Sequence, residues 1–326
     1  MTDSRRAGWW WIPGSIAVLA AAVVLGVMIG PAGTVSSANW NIVWNVRLPR
    51  VVLAAIVGAM LSLAGASYQG VFRNPLVDPY LLGAAGGAGL GATIVIAFGR
   101  ARTVGWAIDP LPVAAFVGAI LAVSVTYLVG AAFGAVRNAT TLVLAGVAVA
   151  SLTSAMQAFI LQRSSDGVVR KVYNWILGSL TDSAWSDVRT VLPYVIVSAA
   201  VLLAHRRYLD VLRVGDDEAA SLGIDVRRVR LVVVVAATVG TAAVVSVSGL
   251  ITFVGIVVPH AVRMLAGGSY RRVLPLSIVL GAAFLILADI PGRMLQNPAE
   301  TPIGVVTAFL GAPFFIVLLR SKRNLT

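Results

Sequence analysis

Long runs without a charged side chain recur along this chain of 326 residues. One of them, from Leu231 to Pro259, covers 29 residues. A helix needs about 20 apolar residues to cross ~30 Å of hydrocarbon. Backbone groups in that layer must be hydrogen-bonded within the protein, so repeated apolar runs indicate repeated helices. The pattern therefore predicts an all-α polytopic membrane protein.

About ten such stretches predict ten transmembrane helices. They lie near residues 9–31, 51–72, 80–99, 111–136, 139–162, 190–205, 231–248, 250–266, 273–290 and 302–320. The seventh and eighth are separated only by Ser246 to Gly249, which predicts a tight break. The first follows Arg5 and Arg6 and opens with three tryptophans. A signal peptide can begin in this way, but the long run and the aromatic belt favour a retained first span.

Composition supports one membrane domain over residues 1–326. The chain is 59% hydrophobic and 12% charged, against about 25% charged in soluble domains. It has no cysteine, which excludes disulfides and cysteine-ligated metal sites. The net charge of +12 is interpreted as loop arginines that set the topology, not as a nucleic-acid surface.

Charge bias orients the spans. With the N-terminus inside, 16 of the 25 basic residues fall in inner segments and nine in outer ones. The positive-inside rule then predicts that both termini are cytoplasmic. The outer nine are Arg47, Arg50, Arg100, Arg102, Arg163, Arg170, Lys171, Arg189 and Arg293.

Two connections are longer than simple turns. The outer one, about 163–189, predicts a short amphipathic helix at the membrane interface. The inner one, about 206–230, carries Asp216, Asp217 and Glu218 at the start of a helical stretch and Gly223 at its end. Acids suit a helix N-terminus and glycine suits a C-cap. A short helix exposed at the inner face is predicted to bind a soluble partner.

Several kinds of chemistry are missing from the sequence. It contains no phosphate-binding loop motif and no clustered metal ligands, so neither a catalytic residue nor a metal site is predicted. For His260 a structural hydrogen bond is favoured over a haem ligand. The predicted midplanes lack ionisable groups, and the nearest, Asp289, lies at an outer edge. Because ion-coupled carriers keep such groups near the midplane, energy is expected to come from another subunit.

Several segments, in order along nearly the whole chain, resemble the permease subunits of type II ABC importers, a FecCD-like family that takes up ferric siderophores, haem and cobalamin. The segments are Arg47 to Arg50, Arg73 to Gly83, Asn174 to Leu180, Gly215 to Gly223, Phe253 to His260, Pro298 to Thr307 and Gly311 to Phe314. Thr301 stands where many members carry leucine.

The resemblance implies a ten-span subunit that forms a homodimer around a central pathway, with the fifth and tenth helices lining it. Two ATPase subunits would lie below and one extracytoplasmic substrate-binding protein above. ATP and Mg²⁺ would belong to the ATPase, and this chain would bind no cofactor. Membrane lipid would surround the subunit, and no nucleic acid would be bound. The location would be the bacterial cytoplasmic membrane.

The resemblance also implies roles for individual residues. Arg47, Arg50 and Arg293 would dock on acidic residues of the binding protein, as exposed arginine forks can. The ATPase would be coupled through Asp216, Asp217, Glu218, Ala219, Ala220, Leu222 and Gly223, with Leu222 as the apolar anchor. The cytoplasmic gate would comprise Asn74, Leu76, Thr140 and Thr141.

The leading hypothesis is therefore the membrane subunit of an ATP-driven importer of a metal chelate. A ferric siderophore or haem is preferred over cobalamin. An ion-coupled secondary carrier and a membrane receptor without transport activity are the alternatives. The sequence does not distinguish a homodimer from a heterodimer with a paralogue, and it leaves the chelate open.

Overall fold

The computed structural model describes residues 11–30, 40–99, 109–132, 139–295 and 299–323. Within these ranges the chain forms thirteen helices and no strand. The helices are α1 (Trp11–Met28), α2 (Trp40–Val71), α3 (Ala84–Phe98), α4 (Pro110–Ala132), α5 (Ala139–Gln162), α6 (Asp166–Ile176), α7 (Trp185–Ala204), α8 (Arg206–Leu212), α9 (Asp216–Ser221), α10 (Val226–Ser248), α11 (Val254–Ala266), α12 (Tyr270–Met294) and α13 (Ile303–Arg323).

Each of the ten predicted spans coincides with one of these helices. Seven are long and apolar enough to cross a membrane, and three shorter apolar helices complete the set: α3, α11 and α13. The prediction of an all-α polytopic membrane protein is confirmed. The predicted sidedness stays a prediction; it supplies the labels "outer end", where α2 begins and α12 ends, and "inner end", where α8 and α9 lie.

The second span begins earlier than predicted. It was expected at residue 51, but α2 starts at Trp40, and a π-helical turn from Val43 to Arg47 leads into its regular part. Arg47 and Arg50 therefore lie inside the helix and not in front of it. A search for charge-free runs could not find this start, because such a search excludes both arginines. The groups that contact them lie elsewhere along the chain.

The centre of the bundle is α2, which packs against α10, α11 and α12. Glycines permit these crossings. A Cβ added at Gly58 would overlap the carbonyl oxygen of Gly281 in α12, and one at Gly65 would overlap that of Gly255 in α11. The close approach at Gly58 and Gly65 follows the small-residue packing common between membrane helices.

The outer connection and the break between the seventh and eighth spans can be compared with their predictions. The outer amphipathic helix is present as α6, with Val172 buried and Arg170 and Lys171 exposed. The break between the seventh and eighth spans lies later than expected, at residues 249–253. Gly249 and Phe253 bound this break, and both adopt positive φ angles, 66° and 69°.

Candidate functional site

An ion-pair cluster occupies the outer end of the bundle, where α2 meets α12. Arg50 donates through Nε and Nη2 to the two carboxylate oxygens of Asp289, at 2.9 and 2.8 Å. Its guanidinium also contacts Glu300, with an Nη1–Oε1 distance of 3.0 Å and an Nη2–Oε2 distance of 2.8 Å. Arg50 therefore lies between two carboxylates, which is the planar, two-pronged pairing that arginine favours.

The other two arginines of the cluster hold the end of α1. Arg293 pairs with Asp289 through Nε at 2.8 Å and donates through Nη1 to the carbonyl of Gly26 at 3.0 Å. Arg47 donates to the carbonyls of Val27 and Met28 at 3.1 and 3.0 Å. The last carbonyls of a helix lack partners within the helix and carry its negative dipole end, so cations stabilise them.

These contacts bury the three arginines that were predicted to dock a binding protein. Arg47, Arg50 and Arg293 are only 4%, 8% and 2% exposed. The expectation that they present exposed forks is wrong for the single chain, because their guanidinium groups are buried and face internal carboxylates and carbonyls. Their docking role stays a prediction. Sequence reasoning placed Asp289 at this edge but missed its partners, and it missed Glu300 altogether.

Glu300 joins two connections at the outer end. One oxygen accepts from the Thr181 hydroxyl at 2.9 Å, and Arg50 binds from the other side. Burial raises the pKa of Glu300, but the hydrogen bonds and charge of Arg50, with the Thr181 bond, outweigh burial and leave the pKa below its usual value. A lowered pKa means that the folded state favours the charged carboxylate.

This lowered pKa predicts a pH-dependent stability. The contribution of Glu300 is fully present above the pKa of an unfolded glutamate, about 4.3, and is lost as the pH falls through the lower folded value. We expect Glu300→Gln to reduce the unfolding temperature at pH 6, and the gap to wild type to close towards pH 3. Thermal unfolding in detergent measures this. Asp182→Asn, an exposed change in a neighbouring connection, is the control, and a gap independent of pH would contradict the prediction.

At the inner end, α9 is a short helix with the predicted cap. Gly223 has a φ of 80°, its N–H donates to Ala220, and the N–H of Ile224 donates to Ala219. This pair of bonds is a Schellman motif, in which glycine takes the left-handed position. The predicted acids fill the first turn. Gly223 thus follows the C-cap residue Leu222 and ends the helix in the left-handed position.

The residues predicted to couple an ATPase fall on two faces of α9. Ala219 is fully buried within the chain, so it has no surface to offer a partner. Asp217, Glu218, Ala220 and Gly223 are exposed, and Leu222 is 71% exposed. A large apolar side chain exposed beside the acidic residues of α9 fits the predicted anchor.

The predicted gate residues come from two connections. Asn74 and Leu76 lie at the exposed tip of the α2–α3 connection, where the Asn74 side chain accepts from the N–H of Leu76 at 3.0 Å. Thr141 lies half-buried in the first turn of α5, and the side chain of Thr140 lies outside the described residues. Their role as a gate stays a prediction.

Comparison with known proteins agrees with this architecture. The sequence model of the FecCD transport family matches residues 14–321. A cobalamin import system permease protein, BtuC, of Halobacterium salinarum is 43% identical over 86% of this chain and 74% of its own length. The hemin transport system permease protein HmuU of Yersinia pestis is 37% identical over 89% of this chain and 86% of its own.

A solved structure gives the same result for the fold. The inward-facing conformation of a proposed metal-chelate type ABC transporter superimposes with a TM-score of 0.84 at 30% identity. The match covers 94% of this chain and 98% of that one. With its apolar helices and its exposed inner helix α9, the chain belongs to the FecCD transport family and is a permease subunit of an ABC importer.

Proposed function

We propose that this chain carries a metal chelate, a ferric siderophore or haem, across a bacterial cytoplasmic membrane. Membership of the FecCD transport family is the observation that carries the proposal. Transport would be driven by a separate ATPase that binds and hydrolyses ATP with Mg²⁺. The exposed inner helix α9 supports this division of labour, because it offers an apolar anchor beside acidic residues where a soluble partner can bind.

The proposed assembly contains a second copy of the chain, two ATPase subunits and an extracytoplasmic binding protein. The proposed surface between the two copies lies on α5 and α13, which carry exposed apolar side chains that are compatible with it, among them Leu144, Leu152, Phe159 and Phe309. An apolar groove also follows α13, lined by residues such as Leu250, Val305 and Ile316. These surfaces suit a smooth pathway shared between two copies.

Cobalamin is the second candidate substrate, because one relative at 43% identity is named for cobalamin import. It is a cobalt chelate, so the proposed substrate class is the same. An ion-coupled carrier is less well supported. Asp289, the acid nearest to the spans in the sequence, is buried and forms ion pairs with Arg50 and Arg293 at the outer end.

Reconstitution tests the proposal. Vesicles containing this chain, its ATPase and its binding protein would be given a ferric hydroxamate siderophore, haem or cyanocobalamin as probes. We expect uptake of one of them that requires ATP hydrolysis and stops when the ATPase is omitted. Uptake by the chain alone, driven by a proton or sodium gradient, would refute the proposal and favour the ion-coupled carrier.

The proposed ATPase contact makes a sharp prediction for Leu222. Replacing it by glutamate puts a charge where an apolar anchor would enter a pocket, and anchors of this kind contribute 2 kcal/mol or more, a loss of roughly thirtyfold in affinity. Binding of the purified ATPase to the detergent-solubilised chain measures this. Leu295→Glu is the matched control, because Leu295 is 69% exposed at the opposite end. Equal ATPase binding by the two variants would remove the assignment of α9.

Docking of the binding protein at the outer end belongs to the same proposal. The contacts of Arg47, Arg50 and Arg293 support a structural role for these residues in the free chain. A partner carboxylate would reach Arg50 only by competing with Glu300, the more exposed of its two carboxylate partners.

A further inference from the structure

Asp216, the first residue of α9, is shared by two arginines from different parts of the chain. Arg230 in α10 donates through Nη2 to one carboxylate oxygen at 3.0 Å. Arg73, which follows the end of α2, places its Nη2 3.6 Å from the other oxygen. Arg230 is buried, whereas the side chains of Arg73 and Asp216 are 43% and 29% exposed. Asp216 therefore connects α9 both to the rigid bundle and to the α2–α3 connection.

The backbone at Arg73 is in an unusual conformation. Its φ is 51°, the left-handed region that non-glycine residues adopt uncommonly and at an energetic cost. This is a position just past a helix end, where glycine would satisfy the backbone without strain. An arginine held there, with its charge against Asp216, points to a function for its side chain.

The far half of the α2–α3 connection is fixed. Gln69 donates through Nε2 to the carbonyls of Val77 and Gly255, at 3.1 and 2.9 Å. Tyr80 donates from its hydroxyl to the carbonyl of Ile251 at 3.0 Å, and that hydroxyl accepts from the N–H of Ile251 at 3.2 Å. These bonds attach residues 77–80 to α2 and to the break between α10 and α11.

The near half is different. Asn74 and Leu76 are exposed, and the hydrogen bond between them lies within the loop itself. The connection is thus anchored at residues 77–80, open at its tip, and joined to α9 at Arg73. A displacement of α9 would pull on the tip while the anchored half stays in place.

We infer that Arg73 is a positioning residue, which ties the gate loop tip (residues 73–76) to α9 through Asp216. The inference rests on the proposed function, in which α9 contacts the ATPase and Asn74 and Leu76 form part of the gate. Movement of the ATPase is then transmitted to the gate through the ion pair between Arg73 and Asp216, while Arg230 keeps Asp216 in position.

Two variants separate the charge of Arg73 from its backbone conformation. Arg73→Asn keeps a residue that tolerates the left-handed region but removes the charge, whereas Arg73→Lys keeps the charge. In the reconstituted vesicles, Arg73→Asn is expected to lower the amount of probe transported per ATP hydrolysed by about two- to fivefold, the range that one exposed ion pair supplies. Arg73→Lys should restore most of it. Arg207→Asn, an exposed arginine on α8, is the matched control and should leave the ratio unchanged.

A distance measurement tests the inference separately from transport. If Arg73 had only a structural role, nucleotide binding would not change the measured distance in the Arg73→Asn background. The chain has no cysteine, so nitroxide labels at Leu76→Cys and Val214→Cys in one copy, paired with an unlabelled second copy, report only the distance between the loop tip and a position just before α9. With the ATPase bound, this distance is expected to stay constant between the nucleotide-free and ATP-bound states when Arg73 is present. In the Arg73→Asn background it should change or broaden.

The outcomes are distinguishable. If the wild-type assembly moves none of the three probes with ATP, the proposed function fails and the inference fails with it. If wild type transports, and Arg73→Asn matches it in transport per ATP and in both distance distributions, only the inference is overturned. A lowered ratio that Arg73→Lys does not restore would also overturn it, because charge would then not be the cause.

Discussion

Replacing Asp289 by asparagine is expected to reduce the free energy of unfolding by about 3–5 kcal/mol, the usual cost of breaking a buried ion pair from one side. Asp289 neutralises Arg50 and Arg293 at once, and all three side chains are buried. Asparagine keeps the shape of the carboxylate but removes the charge. Arg50 would then keep Glu300 as its carboxylate partner, and Arg293 would lose the carboxylate with which it pairs.

Chemical unfolding in mixed micelles measures this effect. Asp217→Asn, an exposed carboxylate of α9, is the control for stability and should fall within about 0.5 kcal/mol of wild type, as surface changes usually do. If the Asp289→Asn variant unfolded at the same denaturant concentration as the wild type, the cluster would contribute little to stability.

A valine at Gly58 should have a comparable or larger effect. Overfilling a packed core commonly costs 1–3 kcal/mol, and here the obstacle is backbone, since the added Cβ would overlap the Gly281 carbonyl and press on Leu285. Neither helix can relieve this by turning a side chain. We expect α2 and α12 to separate and the yield of folded protein to collapse.

Gly14→Val is the matched control, because a Cβ at Gly14 meets nothing within 4 Å. Size-exclusion profiles and thermal unfolding of the two purified variants give the comparison. If Gly58→Val were as stable as Gly14→Val, the close crossing of α2 and α12 would be wrong.

The membrane helices could be predicted because a long run without charge is sufficient to indicate each of them. A run such as Leu231 to Ser248 has no charge to place in water, and lipid then requires a helix. The cap at Gly223 was predictable for a similar reason, since acids, small residues and a following glycine are all local signals. No distant residue had to be known for either.

The ion pairs of the outer cluster could not be predicted in this way. Arg50 lies 239 positions before Asp289 in the sequence, and nothing local says that its charge will be matched. A reader of the sequence therefore places Arg47 and Arg50 outside the span and treats them as exposed. The partner of a buried charge is a property of the fold, and only the packing of α2 against α12 supplies it.

The same limit applies to α9. Ala219 and Ala220 are indistinguishable in the sequence, yet one is buried and the other exposed, because the face that α9 turns inward depends on its neighbours. The link from Asp216 to Arg73 was also out of reach. The acids of α9 were interpreted through the helix dipole, which explains their charge but not their individual partners.

The helices of this subunit differ greatly in length, and this has a consequence for the surrounding lipid. With a rise of 1.5 Å per residue, the 18 residues of α1 extend about 27 Å and the 23 residues of α4 extend about 35 Å, and both of these helices are largely exposed at the surface of the bundle. The protein is thus not matched to a single bilayer thickness. Acyl chains of different length will be tolerated unequally around its perimeter, and hydrophobic mismatch becomes a force on the transporter in its own right.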